Sequence, residues 1–411
     1  MAFIYNLIAH IAWFHLKLLA NVSPKMKLFV EGRKETFSIL EKSIAKNDKV
    51  IWVHVASLGE FEQGLPIIEK LRIEKPSYKI LITFFSPSGY EVKKNSAAAD
   101  VVVYLPLDTK GNVKRFLDIT RPELALFVKY EIWPNYLSEL DNRKIPSLLI
   151  SAIFKKEQIY FKWYGNFMRK SLGAFSHIFV QNKKSKELLS SIKIKNTTVN
   201  GDTRLDRVSE ILERDNTLPI IEAFKKDNLC LVAGSTWGED ETILLDFINS
   251  SSKKLKYILA PHKIDKEKIL GLAGSISKKT VLFSNGNPKT IDNYDVLIID
   301  NIGMLTKVYN YADIAYVGGG FSTGLHNTLE PAVFGIPVII GPNYEGFKEA
   351  EDLVAQKGIL SIHDSWSFSE LIKKLLDNPE LLKRTGEINA SYITKNKGAS
   401  IQIRDYIRTL L

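Results

Sequence analysis

Apolar and polar stretches alternate along most of the chain with the spacing of strands and helices. Short, nearly continuous apolar runs recur at intervals that leave room for a helix between them. Strands that are apolar on both sides are typical of parallel sheets covered by helices on both faces. The predicted strands are 50–56, 79–85, 101–105, 124–128, 147–150 and 178–181, and then 230–233, 257–260, 280–283, 296–299, 314–317 and 337–340.

The strand series restarts after residues 200–208, which indicates two domains. A chain of 411 residues also suits two cores of roughly 200 residues each better than one. The sequence therefore predicts an α/β protein with two Rossmann-like domains whose parallel sheets face a central cleft. The predicted boundaries are 23–208 for the N-terminal domain and 209–411 for the C-terminal domain. The last helix is a candidate to pack back on the N-terminal domain.

Residues 1–22 form a separate, mostly apolar stretch that is predicted to be a membrane-associated helix. As a helix, residues 3–22 would be about 30 Å long. Four of its polar residues share one stripe, with His15 opposite: Asn6, His10, Lys17 and Asn21. This stripe slightly favours a helix lying in the membrane surface over one that spans the bilayer. A buried core helix is the alternative. Basic residues after position 24 would keep the remainder of the chain on the cytoplasmic side.

Charge adds to this picture. The formal net charge of +10 calls for an anionic partner. Nucleic acid is not predicted, because no zinc finger, RNP-like run or heptad-backed basic region is present. Residues 155–195 hold ten basic and two acidic side chains, with aromatic residues between them. This composition fits contact with anionic lipid headgroups, or equally solvated lysines above core aromatics.

Two further features limit the chemistry. Cys230 is the single cysteine and lies in an apolar run, so we expect a buried strand thiol and a reducing compartment. The sequence has no Asp-x-Asp pair and no evident cluster of metal-ligating residues. We therefore predict neither a metal nor a cofactor.

Candidate acids follow two strands of the first domain. Ligands of doubly wound sheets bind beyond the carboxyl ends of the strands. The first strand continues into A-S-L-G-E-F-E, where Gly59 would permit a sharp turn before a helix at 64–72 and would place Glu60 as a general base. The fourth continues into K-Y-E-I-W-P-N, which contains Glu131. The alternatives are a helix-capping role for Glu60 and hydrogen bonding to the turn for Glu131.

The strand ends of the second domain carry groups suited to a nucleotide. The segment 317–330 holds three consecutive glycines and then a predicted helix start with an acid that can accept ribose hydroxyls. A tight strand-to-helix turn and plain helix caps are the alternatives. The candidate binding residues are Ser235, Thr236, Pro261, His262, Lys263, Ile302, Gly303, Met304, Gly319, Gly320, Asn327, Thr328, Leu329 and Glu330.

Five motifs in order resemble one enzyme family. They read A-S-x-G-E, K-Y-E-x-W-P-N, G-D-T-R-x-D-R, G-S-T-x-G-E and G-G-x-F-x-x-G-x-H-N-x-L-E-P-A. Together they resemble the 3-deoxy-D-manno-octulosonic acid (Kdo) transferases, which are inverting glycosyltransferases of the GT-B fold. These enzymes build the lipopolysaccharide inner core of the Gram-negative cell envelope. The resemblance extends from the N-terminus to about residue 357.

The resemblance implies a reaction, a location and roles for three residues. CMP-Kdo would be the donor substrate and a lipid A precursor (lipid IVA) the acceptor, at the cytoplasmic leaflet of the bacterial inner membrane. Glu60 would accept the proton of the acceptor hydroxyl, and Glu131 would support the transition state. Arg204 matches a basic position that often carries Lys.

Two positions depart from the family pattern. His262 stands where many members have Arg, so the phosphate contact would come from Lys263 or a neutral imidazole. Met304 stands where many members have an acid, which leaves a backbone contact there.

Three other functions remain open at this point. A membrane-associated GT-B transferase that uses a UDP-sugar would share the fold. A Rossmann oxidoreductase requires G-x-G-x-x-G after the first strand, and residues 56–62 lack it. A non-catalytic nucleotide-binding membrane protein would bind CMP and be indifferent to Glu60→Gln. The number of Kdo units, the acyl pattern of the acceptor and the oligomeric state have no sequence signal.

Overall fold

The computed structural model describes residues 2–322 and 324–411, which form two compact units. The first unit extends to Arg207 and includes Lys397–Leu411, and the second is Val208–Asn396. The sequence had placed residues 209–411 in the second domain, with the last helix as a candidate to return to the first. In the structure, the C-terminal segment belongs to the first unit.

The first unit contains a seven-stranded, all-parallel sheet. Its strands are β1 (Lys49–Val55), β2 (Tyr78–Phe84), β3 (Val101–Tyr104), β4 (Pro122–Val128), β5 (Ser147–Ala152), β6 (His177–Val180) and β7 (Thr197–Val199). Their order is β3-β2-β1-β4-β5-β6-β7. Its helices are α1 (Ala2–Leu19), α2 (Pro24–Lys34), α3 (Thr36–Ser43), α4 (Leu58–Glu74), α5 (Pro87–Lys93), α6 (Lys110–Thr120), α7 (Pro134–Asn142), α8 (Asn166–Gly173), α9 (Lys183–Ser191) and α10 (Thr203–Ser209), with a 3₁₀ turn at Ile159–Phe161.

The second unit repeats this architecture. Its strands are β8 (Cys230–Thr236), β9 (Lys256–Pro261), β10 (Thr280–Leu282), β11 (Val296–Ile298), β12 (Ile314–Val317), β13 (Val338–Ile340) and β14 (Ile359–Ser361). They are parallel, in the order β10-β11-β9-β8-β12-β13-β14. Its helices are α11 (Pro219–Lys225), α12 (Gly238–Ser250), α13 (Lys266–Gly274), α14 (Leu305–Val308), α15 (Leu329–Ala332), α16 (Lys348–Gln356), α17 (Ser365–Leu376) and α18 (Pro379–Asn396), with 3₁₀ turns at Glu210–Glu213, Phe283–Asn285, Ile291–Asn293 and Tyr309–Tyr311.

The central strands are buried on both faces, as their continuous apolar sequence predicts. On one face of the first sheet, Trp52 of β1 packs with Phe116 of α6 and Tyr136 of α7. On the other face, Val53 of β1 joins a core that includes Ile68 of α4. Helices therefore cover both faces of a parallel sheet, which confirms the predicted α/β class. Cys230 is a buried free thiol on β8, and burial raises its pKa.

The chain ends in α19 (Ala399–Arg408), which packs in the first unit. Ile403 and Ile407 of α19 are fully buried and complete the core on the α4 face of the sheet. The carboxylate of Asp206 in α10 accepts hydrogen bonds from the backbone N–H groups of Gly398 (2.7 Å) and Ser400 (3.0 Å). This carboxylate satisfies N–H groups that a helix start leaves unpaired.

The N-terminal segment is a helix, α1, with an exposed apolar side. Phe3 is 79% exposed and Phe14 is 61% exposed, so the alternative of a buried core helix is wrong. Across the described residues, no helix combines the length and the apolarity needed to cross a membrane. The hydroxyl of Tyr5 donates to Asp108 (2.8 Å), and the Asn6 amide contacts Asn135 (3.4 Å). The first turn of α1 is therefore attached to the rest of the first unit, whereas His10, Lys17 and Asn21 of the predicted polar stripe are exposed.

The aromatic residues in the basic stretch divide between core and surface. Tyr160 is buried in the core, whereas Trp163 is 90% exposed and Tyr164 is also exposed. The ring of Phe167 lies 5.6 Å from that of Tyr5. Part of the stretch is thus ordinary core, Phe167 contacts α1, and Trp163 and Tyr164 are exposed.

Candidate functional site

The candidate acids follow the two strands at which the first sheet changes winding direction. From β1 the chain moves outward to β2 and β3, and from β4 it moves the other way to β5, β6 and β7. The carboxyl ends of such neighbouring strands are where doubly wound folds bind ligands. Glu60 follows β1 and Glu131 follows β4, so both acids belong to this position.

Glu60 lies in the first turn of α4 and is 8% exposed. Its Oε2 accepts a hydrogen bond from the backbone N–H of Ala56 (2.5 Å). The helix predicted at 64–72 is present, but it begins earlier than predicted, and the prediction of a sharp turn at Gly59 is wrong. Instead, Ser57 is the extended N-cap residue, and Gly59 already lies in the helix. The first turn of α4 thus places the Glu60 carboxylate next to the backbone that follows β1.

The surroundings of Glu60 suit proton transfer near neutral pH. Burial, and next the negative charge of Glu131, raise the pKa of Glu60 to about 7. The hydrogen bond from Ala56 and the charge of Lys129 act in the opposite direction. Burial and the charge of Glu60 also raise the pKa of the neighbouring Tyr130 hydroxyl. A carboxyl group with a pKa close to the working pH can accept a proton efficiently.

Glu131 is buried and held by two ring N–H groups. The indole Nε1 of Trp133 donates to Glu131 Oε2 at 2.9 Å, and the Nε2 of His54 lies 2.9 Å from the same oxygen. His54 is on β1 and is fully buried. Lys129, two residues before Glu131, has a positive φ of 67°, which turns the chain sharply at the end of β4. The carboxylate position is thus fixed by its neighbours.

Arg204 is engaged with a neighbouring acid. Its Nε and Nη2 donate to Asp202 Oδ2 at 2.9 Å and 2.7 Å. Burial acts to raise the pKa of Asp202, but the charge of Arg204 and its hydrogen bonds hold that pKa below its usual value. The amide of Gln63, one turn after Glu60 on α4, also donates to Asp202 (3.2 Å). Arg204 is therefore connected to the helix that carries Glu60.

The candidate nucleotide residues follow the winding switch of the second sheet. That switch lies between β8 and β12. Ser235 and Thr236 are the last residues of β8, and Gly319 and Gly320 follow the end of β12. Ser235 has a φ of +55°, a left-handed conformation that is uncommon for a residue with a side chain and that clusters at functional sites. Gly319 has a φ of +89°, and a Cβ there would lie 2.3 Å from the carbonyl oxygen of Gly324. Only glycine fits at this turn.

Asp240 joins the two sides of this switch. Its Oδ2 accepts from the backbone N–H groups of Trp237 (2.9 Å) and Gly319 (2.9 Å), and its Oδ1 accepts from the hydroxyl of Tyr316 (2.6 Å). It is almost fully buried in the first turn of α12. The glycine turn is thus attached to the start of α12 through one carboxylate.

His262 belongs to a stack of three rings. It lies 4.6 Å from the ring of Trp237 and 4.4 Å from that of His326, both nearly parallel to it. The indole Nε1 of Trp237 donates to His326 Nε2 (2.9 Å). Burial lowers the pKa of both histidines, with the charge of Lys263 adding to the effect on His262 and that of His262 to the effect on His326. The Nζ of Lys263 lies 5.1 Å from the centre of the Trp237 ring.

Glu330 is held in place by two side chains. The hydroxyl of Thr306 donates to its Oε2 (2.7 Å), and the amide of Asn327 donates to its Oε1 (2.9 Å). The helix that carries Glu330 and Leu329, α15, has four residues. Among the described residues, the buried hydroxyl of Thr328 finds no hydrogen-bond partner.

The loop with the remaining candidates is open. Ile302 is 89% exposed, Gly303 has a φ of +96°, and Met304 is the N-cap residue of α14. Pro261 ends β9. Over the parts of the chain that the structure describes, no three His, Cys, Asp or Glu residues are placed to hold a metal ion.

Comparisons with known proteins identify the family. Residues 31–207 match the family model described as 3-deoxy-D-manno-octulosonic-acid transferase (kdotransferase). The 3-deoxy-D-manno-octulosonic acid transferase of Aquifex aeolicus is 31% identical over 379 residues, which cover 90% of this chain and 97% of that protein. The chain belongs to the Kdo transferase family. The Haemophilus influenzae enzyme of the same name is 28% identical over 375 residues, covering 88% of this chain and 87% of that protein.

A solved structure supports the fold of this Kdo transferase family member. UDP-GlcNAc 2-epimerase from Neisseria meningitidis, bound to UDP-GlcNAc, superposes with a TM-score of 0.62 at 17% identity, covering 88% of this chain and all of that chain. At this identity the likeness concerns the fold alone. It agrees with the predicted arrangement of two Rossmann-like sheets.

Sequence reasoning missed several residues of this Kdo transferase site. They are His54, Asp240, Trp237, Thr306 and His326. His54 lies inside an apolar strand run, where a single polar residue gives no spacing signal. His326 lies within a quoted motif and Asp240 directly follows another, so their positions were visible although their contacts were not.

Proposed function

We propose that this enzyme transfers Kdo from CMP-Kdo to a lipid A precursor, lipid IVA, with Glu60 as the general base. Membership of the Kdo transferase family supports the reaction class. The observation that supports the assignment of the base is the Glu60 carboxyl group itself. It is buried at the winding switch of the first sheet, and its pKa is raised to about 7.

The proposed step is a direct displacement with inversion. Glu60 takes the proton of the acceptor hydroxyl while that oxygen forms a bond to the anomeric carbon of Kdo. The bond between this carbon and the CMP phosphate oxygen breaks, and CMP leaves with the bonding electron pair. Glu131 remains a fixed carboxylate beside Glu60 and supports the positive charge that develops on the sugar.

The second unit would bind CMP-Kdo through groups of different kinds. In the glycine turn, the backbone N–H of Gly320 suits the phosphate, because that of Gly319 already donates to Asp240. The side chains of His262 and Lys263 suit the phosphate as well. Glu330 would accept the ribose hydroxyls on lone pairs that Thr306 and Asn327 leave available. The remaining predicted contacts are Ser235, Thr236, Pro261, Ile302, Gly303, Met304, Thr328 and Leu329.

Arg204 is proposed to act through its charge. Because its guanidinium is paired with Asp202, it would stabilise the anionic substrates from a fixed position. No metal or cofactor is part of the proposal, since CMP is a good leaving group and positive side chains can stabilise its phosphate.

The acceptor is an anionic lipid, so we propose that the enzyme works at the cytoplasmic leaflet of the bacterial inner membrane. The exposed apolar side of α1 and the exposed side chain of Trp163 are suited to enter the interface. The net charge of +10 would favour anionic lipid headgroups.

The test is CMP release from CMP-Kdo by detergent-purified enzyme, with and without tetraacylated lipid A precursor. We expect release to depend on the acceptor and Glu60→Gln to lose about 10²- to 10⁴-fold in kcat, the usual contribution of a general base. Glu62→Gln is the matched control, because Glu62 lies on the same helix and is paired with Lys93 (3.1 Å).

Three results would overturn the proposal: no release, release without acceptor, or equal activity of both variants. Stronger protection against thermal unfolding by UDP than by CMP would instead indicate a UDP-sugar transferase.

A further inference from the structure

A row of buried polar side chains leads from the sheet to Glu131. The indole Nε1 of Trp52 donates to the hydroxyl oxygen of Thr83 (2.8 Å), and that hydroxyl lies 2.8 Å from His54 Nδ1. His54 Nε2 then meets Glu131 Oε2 at 2.9 Å. Trp52, Thr83 and His54 are fully buried within β1 and β2. Buried polar groups are nearly always hydrogen-bonded, and a connected network of them rigidifies its surroundings.

The contact with Glu131 assigns a proton to His54 Nε2. A carboxylate oxygen can only accept, so a bare Nε2 lone pair facing Glu131 Oε2 at 2.9 Å would be repulsive. On the other side of the ring, Nδ1 lies 2.8 Å from the hydroxyl oxygen of Thr83 and 3.1 Å from its backbone carbonyl oxygen. Because the Thr83 hydroxyl accepts from Trp52, its own proton can be donated to Nδ1.

We propose that His54 is a positioning residue for the transfer reaction, which holds the Glu131 carboxylate in place beside Glu60. This inference rests on the proposed function, because it assigns His54 a role in the environment of the proposed base. Trp133 supplies a second N–H to the same Glu131 oxygen. Its indole nitrogen also lies 3.1 Å from His54 Nε2, so loss of the histidine removes one of two supports.

The connection to Glu60 is electrostatic. The charge of Glu131 is one of the causes that raise the pKa of Glu60. If the carboxylate moved away, the Glu60 pKa would fall and the base would weaken. The other titratable or charged groups around these three residues are Lys129 and Tyr130 near Glu60, Tyr160 near Glu131 and Asp108 near His54.

The test compares two amide replacements of His54. The amide nitrogen of Gln reaches the position of Nε2 and can donate to Glu131, whereas that of Asn reaches only the position of Nδ1. We expect His54→Asn to lower kcat by up to about 100-fold, the effect of misplacing a group by roughly 1 Å, without changing the KM for CMP-Kdo. The wild-type enzyme should lose activity on the acid side with a midpoint near pH 7, and in His54→Asn this midpoint should lie at a lower pH. His54→Gln should restore most of the kcat and most of the wild-type pH profile.

The control is His177→Asn, which changes a histidine of the same sheet on β6. His177 is half-buried and contacts Thr198 (2.9 Å) and the Tyr406 ring, away from Glu131. We expect wild-type kcat and pH profile. Equal effects of Asn and Gln at position 54, or an unchanged acid limb in His54→Asn, would overturn the inference about His54.

Two further measurements separate the possible failures. If Glu60→Gln is as active as the wild type, the proposed base is wrong; if it is inactive while His54→Asn behaves as wild type, only the His54 inference fails. The ¹⁵N-histidine NMR spectrum of the wild-type protein tests the inference even if a variant does not fold. A His54 proton on Nε2, with a resonance that shifts in Glu131→Gln, supports the assignment, and a ring without a proton on Nε2 contradicts it.

Discussion

Glu60 shows how one environment can serve function at the expense of stability. The same burial that raises its pKa to about 7 disfavours the charged form that a base must have. Below pH 4.5 the carboxyl is protonated in both the folded and the unfolded chain. As pH rises through 7, the folded chain must carry a buried charge, and the stability contributed by the neutral form is lost.

We therefore expect Glu60→Gln to stabilise the protein at pH 8 and to have little effect at pH 4.5. With about 1.4 kcal/mol per pKa unit, a rise from 4.5 to about 7 sets an upper limit of roughly 3 kcal/mol. Urea unfolding of the wild type and the variant at both pH values measures the difference. Glu62→Gln should show no such pH dependence. A stabilisation that is equal at both pH values would show that burial of the charge is not its cause.

At the residue scale, the candidate acids could be predicted from their position after strands, but their support could not. Glu60 and Glu131 are visible because acids stand out where an apolar run ends. His54 and Thr83 lie inside such runs, where the pattern predicts burial and nothing more. Their contacts depend on the register of β1 against β2, which pairs His54 with Thr83. Register is a property of the sheet, and a single strand sequence does not reveal it.

At the level of elements, twelve strands were predictable and two short edge strands were not. All twelve predicted strands are present, with ends that agree to within three residues. The two that were missed, β7 and β14, have three residues each and lie at the edges of the sheets. The start of α4 was misplaced by six residues, because Gly59 was interpreted as a turn residue.

The C-terminal helix offers a stability test with an internal control. Ile403 of α19 is fully buried against the first unit, whereas Ile401 on the same helix is 45% exposed. We expect Ile403→Ala to lower the free energy of unfolding by about 2–5 kcal/mol, the usual effect of truncating a buried isoleucine. Ile401→Ala should change it by less than about 0.5 kcal/mol. Equal effects in urea unfolding would contradict the packing of this helix.

On the scale of the whole molecule, both units place their functional groups by the same rule. Each has a parallel sheet whose strand order reverses direction once, between β1 and β4 or between β8 and β12. The segments that follow the strands at those reversals carry the acids in one unit and the glycine turn in the other. This is why a list of strand ends, read from sequence, contained most of the candidate site. It contained neither the ring stack at His262 nor the carboxylate of Asp240, which depend on tertiary contacts.

Attraction to a lipid surface should have two separable parts, one apolar and one electrostatic. The apolar part is assigned to α1, whose Phe14 and Leu18 are more than half exposed. Transfer of one such side chain from water into the lipid contributes about 1.5–3 kcal/mol to the free energy of binding. The double variant Phe14→Gln, Leu18→Gln should therefore bind vesicles at least about tenfold more weakly. Ile73→Gln is the matched control, because Ile73 is 80% exposed on α4. The electrostatic part comes from the net charge of +10.

Cosedimentation with phosphatidylcholine vesicles, with and without one-quarter phosphatidylglycerol, measures both parts. Raising the salt concentration shortens the screening length from about 10 Å at 0.1 M to about 3 Å at 1 M. Salt should therefore reduce the extra affinity for anionic vesicles, while the effect of the α1 substitutions persists because burial of apolar groups is not screened. If Ile73→Gln weakens binding as much as the α1 pair, the attraction is not specific to that helix. If the α1 variant binds like the wild type at high salt, α1 does not contact the lipid.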